Sequence, residues 1–187
     1  MYPVMLDLRG RRVLIVGAGP IATRKAEGVL ADGALVRVVA PAVCDEMLAL
    51  KNANPNTITI DTRAYEVADL DGAWLVITAT NDRTVQQQVY DDAVAACCWV
   101  NAADDPDRCA FILPAVHREG PVTVSVSTAG ASPALAQALR DRMRACVPSD
   151  IAAIADELRE RRATIKAAGG STEAIDWRPI VDGLLDR

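Results

Sequence analysis

The chain has 187 residues, a formal net charge of −5 and an apolar fraction of 51%. That is enough for one large domain, or one domain with a small appendage, around a sizeable core. The acidic balance excludes the broad basic face of a nucleic-acid binder, and no run of about 18 uncharged apolar residues is present to span a membrane.

RRVLIV (11–16) is a short apolar run with β-branched residues and predicts a buried strand. GAGP follows at once, then IATRKAEGVLADG, a helical stretch stopped by Gly33. LVRVVAP (35–41) predicts a second strand ended by Pro41. Strand, turn, helix and strand at this length make one βαβ unit with a parallel pair and a right-handed crossover. A short helix around CDEMLALKN and a strand at 56–61 come next. AWLVITAT (73–80) is continuously apolar, as a central strand buried on both faces is. The following helix carries Val85, Val89, Ala93 and Ala96 on one face, with Thr80 or Asn81 as its cap. WVNAA (99–103) predicts a fifth strand. The fold class expected is α/β, a doubly wound parallel sheet up to about residue 112.

The rhythm changes after Pro114. HREG is read as a tight connection, and PVTVSVST (121–128) as a β-branched strand. Ser132 and Pro133 suit the N-cap and first position of a helix to about Cys146, with Leu135, Leu139 and Met143 on its face. A helix opened by Pro148 and Ser149 carries Ile151, Ile154, Leu158 and Ile165, AAGGST breaks it, and a last helix covers roughly 179–185. The expected division is 1–113, 114–147 and 148–187.

The N-terminus MYPVMLDLRGRR is too short and too soon charged for a secretory signal, so an intracellular, cytoplasmic setting is expected. The five cysteines contain no C-x-x-C, and a single histidine, His117, leaves a zinc site few ligands. Reduced packing thiols are expected, and no resident metal.

Gly17-x-Gly19-x-x-Ala22, after a strand and opening a helix, fits the dinucleotide fingerprint. Gly17 permits the tight turn, Gly19 lets backbone approach a pyrophosphate, and Ala22 allows close helix–strand packing. The helix start then offers free N–H groups and partial positive charge. The ribose-binding acid of that fingerprint belongs at the end of the second strand, where Val39, Ala40 and Pro41 stand. Arg37 sits at the wrong end of that strand for a phosphate clamp, so NAD and NADP stay open at this point.

Taken together, GAGPIATRKAEGVLADGALVRVVAP, LVITATND, VNAADDPDRCAFILPA and VSVSTAGASPALAQALRDRM resemble, in order and spacing, the siroheme-synthase family and its precorrin-2 dehydrogenase branch. The resemblance runs from about residue 3 to about residue 147. It implies a homodimer built from a Rossmann domain, a dimerisation segment and a helical tail. It also implies oxidation of the tetrapyrrole precorrin-2 to sirohydrochlorin with NAD, and in some members insertion of ferrous iron. The cofactor-binding set it implies is Gly17, Gly19, Pro20, Ile21, Pro41, Ala42, Thr80 and Asn101. Two departures stand out, Gly17-Ala18-Gly19-Pro20 where the family often has a third glycine and a charge, and Asn81-Asp82 where it often has two aspartates.

The family's catalytic aspartate falls on Asp104, directly after the fifth strand, with Asp105 as the turn member before Pro106. Crevices beyond the carboxyl ends of parallel strands are where ligands bind in such sheets. The reaction sheds a proton as well as a hydride, and a positioned carboxylate can accept the proton. The alternative is an Asp-Asp-Pro turn bonded to its own backbone. A substrate rimmed with carboxylates requires local cations, for which Arg108 and Arg118 are the candidates, beside Arg24 and Lys25 of the first helix. Ser127 and Thr128 are the candidate substrate contacts of the STAGAS loop. Two other readings are kept: a non-catalytic dinucleotide-sensing module, and a different dehydrogenase on the same cofactor fold.

Overall fold

The computed structural model describes residues 1–103 and 105–186. It divides into two compact units, Met1–Ile112 and Leu113–Arg187.

The first unit is a five-stranded parallel sheet in the order β3-β2-β1-β4-β5, with β1 Arg12–Val16, β2 Leu35–Val39, β3 Ile58–Asp61, β4 Leu75–Thr78 and β5 Trp99–Ala102. The order reverses between β1 and β4, so successive crossovers leave in opposite directions and open a crevice at the strand ends. Alternation along each strand sends neighbouring side chains to opposite faces. On one face Val13, Ile15, Val36, Val38, Ile58 and Ile77 pack with Ala22, Ala26 and Val29 of α1 (Pro20–Ala31) and Met47 of α2 (Asp45–Ala53). On the other, Leu14, Val16, Val76 and Val100 pack with Val89 and Ala93 of α3 (Arg83–Ala95). Both faces are dry, which is why the strands read as unbroken apolar runs. Each fully buried Val, Ile or Leu side chain contributes roughly 1.5–3 kcal/mol.

Two local expectations differ. The cap of α3 is Asp82, not Thr80 or Asn81: its carboxylate accepts from the Thr84 and Val85 amides at 2.8 and 3.2 Å. Asp82 is the extended residue immediately before the first helical one, the position from which a side chain reaches back to those amides. Ala96, expected on the buried face, is exposed, because the helix ends at Ala95 and the chain turns through a left-handed Cys97 at φ 52°. Where β4 and β5 begin, Trp74 and Trp99 stack with ring centroids 6.4 Å apart, and the Arg11 guanidinium lies 5.3 Å from the Trp74 ring.

The β3–β4 crossover is short and holds a single 3₁₀ turn, Val67–Leu70. Its Asp69 is buried and accepts from the Arg63 guanidinium and from the Glu66 amide, with Arg37 at 3.1 Å. Arg37 also donates to Asp61 at 2.8 Å.

The second unit opens with a hairpin. The expected connection at 117–120 is for the most part a strand, β6 Ala115–Glu119, antiparallel to β7 Val122–Val126. Gly120 takes φ +54° at the first of two turn positions, the place a II′ hairpin turn reserves for glycine. His117, expected in a turn, is a strand residue opposite Val124. Ser132 caps α4 (Pro133–Arg144) as expected, accepting from the Leu135 amide at 3.1 Å. The face of α4 that packs carries Ala136, while Leu135, Leu139 and Met143 are 50%, 38% and 48% exposed. The small alanine lets the helix lie close to the hairpin, and Arg140 reaches the Val116 carbonyl at 3.4 Å. Helix α5 spans Ile151–Ala167 and α6 Arg178–Leu185; α5 starts two residues beyond the predicted Ser149. Among the described residues no helix is long and apolar enough to cross a membrane.

Burial raises the Asp69 carboxyl, but Arg63, the Glu66 amide and Arg37 outweigh it and hold it below the usual range. A carboxyl lower in the folded than in the unfolded chain stabilises the fold above its unfolded value, about 3.9, and that stability disappears as pH falls through the folded value. Asp69→Asn is therefore expected to cost about 1.5–3 kcal/mol at neutral pH. In chemical denaturation the gap to wild type should shrink steadily below about pH 4.

Candidate functional site

The crevice is built on the turn after β1. Gly17 takes φ +115°, and a Cβ there would sit 2.4 Å from the Ala79 carbonyl oxygen. Its amide donates to the Val39 carbonyl at 2.9 Å, while the Ala79 amide donates to Val16 at 2.8 Å. Gly17 is thus demanded by the protein's own backbone. Gly19 is different. Its backbone is extended, at φ −88° and ψ −176°, which any residue adopts, and nothing lies within 4 Å of a Cβ built on it. The space that a side chain would fill is left open at the start of α1.

Pro20 occupies the first position of α1, where its missing N–H removes no helical bond. The amides of Gly19, Ile21 and Ala22 have no partner one turn back, as at every helix start, and the Thr23 amide makes the first helical bond, to Gly19 at 3.0 Å. Thr23, buried, adds a hydroxyl bond to the same carbonyl at 3.1 Å and lies 3.6 Å from the Cys44 sulfur. The Cys44 amide donates to Ala18 at 3.0 Å, so the glycine turn and the loop carrying Pro41 and Ala42 are joined. Both of those residues are exposed, as is Ile21. Sequence reading passed over Thr23, although a hydroxyl four residues past Gly19 was the available signal.

At the end of β2 the nearest carboxylate is Asp61, opposite Val39 in register. It is engaged by Arg37 through Nε and Nη2 at 2.8 and 2.7 Å. Arg37 therefore serves the sheet edge. An open helix start, a glycine whose missing Cβ meets only space, and a neutral end to β2 fit a dinucleotide held through backbone amides.

After β4, the Thr80 carbonyl accepts from Gln86 Nε2 at 2.7 Å, and its hydroxyl accepts from the Asp82 amide at 3.2 Å. Thr80 thereby shapes the start of α3. After β5, the chain folds back along the strand. Asn101 and Cys109 form an antiparallel bridge, and the Ala110 amide donates to Val100 at 2.8 Å. Asn101 is buried, and its amide nitrogen donates to the Phe111 carbonyl at 2.9 Å and to the Cys109 sulfur at 3.4 Å. That nitrogen is committed to the loop. The Cys109 sulfur lies 3.3 and 3.2 Å from the Ala102 and Asp105 carbonyls. Burial pushes this thiol up, so it is a protonated packing group at neutral pH.

Asp104 lies outside the described residues. On either side of it, the Ala103 amide donates to Thr78 at 2.8 Å and the Asp105 amide to Ala102 at 3.3 Å. Arg108 pairs with Asp105 through Nη1 and donates from Nε to Gln87 of α3 at 2.7 Å. Gln87 carried no sequence signal. Gly17, Gly19, Pro20, Ile21, Pro41, Ala42, Thr80, Asn101 and Arg108 all lie in the first unit.

In the second unit Thr128 clasps its loop, donating to the Ser132 carbonyl at 3.0 Å and accepting from the Ser132 amide at 3.1 Å. Ser127 is exposed, and its hydroxyl accepts from the Ala129 amide at 3.1 Å. Ala129 and Gly130 are both left-handed, at φ 52° and 88°. Arg118 is exposed on β6. No group of three or more His, Cys, Asp or Glu side chains able to hold a metal exists among the described residues.

Comparison with known proteins adds the following. Residues 4–115 match the family model described as "Putative NAD(P)-binding", and residues 119–145 the model "Sirohaem biosynthesis protein central". The chain is 40% identical over 162 residues to a siroheme synthase of Photorhabdus laumondii, covering 85% of this chain and 34% of that one. With a siroheme synthase of Pseudomonas fluorescens it is 38% identical over 188 residues, covering 99% and 40%. The chain spans about a third to two fifths of the length of these relatives. A solved structure titled "SirC, precorrin-2 dehydrogenase" superimposes with a TM-score of 0.76 at 30% identity, covering 100% of this chain and 88% of that one.

The two glycines separate folding from binding. Gly17→Ala should lower stability by about 1–3 kcal/mol or more, from left-handed strain and the contact with Ala79. Gly19→Val should leave the melting temperature near wild type but weaken NAD(P)H, titrated by fluorescence, roughly tenfold or more, ~1.4 kcal/mol. Equal melting losses in both variants would contradict this division.

Proposed function

The chain belongs to the NAD(P)-binding family of siroheme biosynthesis, and from that membership we propose that it oxidises precorrin-2 to sirohydrochlorin with NAD as acceptor. The observation that carries the cofactor half is Gly19, whose missing Cβ meets open space at the start of α1. The substrate half is supported by likeness to the precorrin-2 dehydrogenase of nearly the same length.

NAD, when bound, supplies the hydride acceptor. The protein's part is to hold it and to take the proton. The amides of Gly19, Ile21 and Ala22 and the positive end of α1 receive the pyrophosphate. Pro41 and Ala42 form a wall without charge on the adenosine side, and Thr80 stands beside the glycine turn, its amide nitrogen 3.2 Å from a Cβ built on Gly17. NAD is preferred to its 2′-phosphorylated form because Arg37, whose side chain reaches the end of β2 after all, and Arg63 are taken up by Asp61 and Asp69.

The substrate breaks one C–H bond as hydride and loses one proton as conjugation extends. Asp104 is the proposed base, a role typically worth ~10²–10⁴-fold. Ser127, Thr128 and Arg118 are proposed substrate contacts. The three-part division at 113 and 147 and a cytoplasmic setting are part of the same reading. So is a homodimer, for which the apolar stripe Leu135, Leu139 and Met143 is the supporting observation.

Anaerobic incubation with precorrin-2 and NAD should produce sirohydrochlorin and NADH in equal amounts. Asp104→Asn should keep NAD binding and lower turnover ~10²-fold or more. Binding of NAD without any NADH formed would favour the sensing module instead. Ferrous iron added after oxidation tests insertion. Leu139→Glu should shift sedimentation from dimer to monomer, and an unchanged dimer would move the interface elsewhere.

A further inference from the structure

The fold-back after β5 is held at both ends by elements that do not belong to it. On one side Asn101, buried in β5, grips Cys109 and the Phe111 carbonyl. On the other side the Arg108 guanidinium spans two partners, Asp105 within the loop and Gln87 Oε1 on α3 at 2.7 Å. Gln87 is itself aimed by its own amide nitrogen, which donates to Asp91 one turn on at 2.8 Å. Helix α3 is anchored on the sheet by fully buried Val89 and Ala93. Residues 105–111 are thus tied to β5 through Asn101 and to α3 through Gln87.

We propose that Gln87 and Arg108 are positioning residues, which brace the loop bearing the base against α3. Arg108 acts through the loop and is not a clamp on the substrate's carboxylates. This rests on Asp104 being the base. A guanidinium with Nε and Nη1 both committed to protein acceptors is a poor free cation but a good two-point strut. Small displacements of a catalytic group have large kinetic effects, up to about a hundredfold for roughly 1 Å.

The test is steady-state kinetics with precorrin-2 and NAD on Gln87→Leu, Arg108→Lys and the double variant, alongside melting temperature and NADH titration. Gln87→Leu, which alters no charge, should lower kcat roughly ten- to hundredfold. KM for precorrin-2 and Kd for NADH should stay within about twofold. Arg108→Lys keeps a cation for Asp105 but loses the strut, and should behave alike; the double variant should be no worse than the poorer single one, as members of one unit are non-additive. Wild-type kinetics for Gln87→Leu would overturn the proposal. So would an Arg108→Lys effect confined to KM, which is the mark of a substrate clamp. A joint fall in melting temperature and NADH binding would reduce the pair to a stability role. Asp104→Asn with full turnover would instead overturn the reading beneath.

Discussion

The site depends on a contact between two stretches of backbone. Gly17 and Ala79 approach so closely that no Cβ fits between them. This approach joins the ends of β1 and β4, the strands between which the sheet order reverses. Everything proposed for the cofactor is arranged around that junction. The open Gly19, the start of α1 and Thr80 lie within a few residues of it. Two glycines that look alike in the fingerprint therefore differ: a Cβ on Gly17 meets the protein's own backbone, and one on Gly19 meets open space.

Arg37, Arg63 and Arg108 each have an aspartate partner in the same unit. The start of α1 adds a fixed positive potential and free amides, which cannot swing away or titrate. In a protein with a net charge of −5, the dinucleotide site proposed above draws on these backbone amides rather than on the arginines already paired.

How far the sequence disclosed this depends on whether the cause of a feature was local. The parallel strands were readable because burial on both faces writes itself as unbroken apolar runs, RVLIV and LVIT among them. The glycine turn was readable because its spacing is set by its own backbone. Strand β6 was not. AVHRE has one β-branched residue in five, and it becomes a strand by pairing with VTVSV. The bonds of Asn101 to Cys109 and Phe111 were not legible either, because those partners become its neighbours only when the chain folds back. The bond from Arg108 to Gln87, 21 positions earlier, was hidden for the same reason. The α4 stripe was legible as a pattern but not as an exposed one, because Ala136 makes the packing contact and small residues give little periodic signal.

The three tryptophans are divided between the two units. Trp74 and Trp99 stand together where β4 and β5 begin, nearly parallel at an interplanar angle of 12°. Trp177 is in the second unit, its indole N–H bonded to the Thr172 carbonyl at 2.8 Å. Stacked indoles couple their electronic transitions, so the pair has a circular-dichroism signature that a solitary indole lacks. The chain therefore carries a built-in optical label for each half. Loss of the coupled signal follows the sheet, and the emission of Trp177, read in a Trp74→Phe, Trp99→Phe background, follows the helical half. Whether the halves melt as one cooperative body or as two is then visible by light alone, with no dye or tag attached.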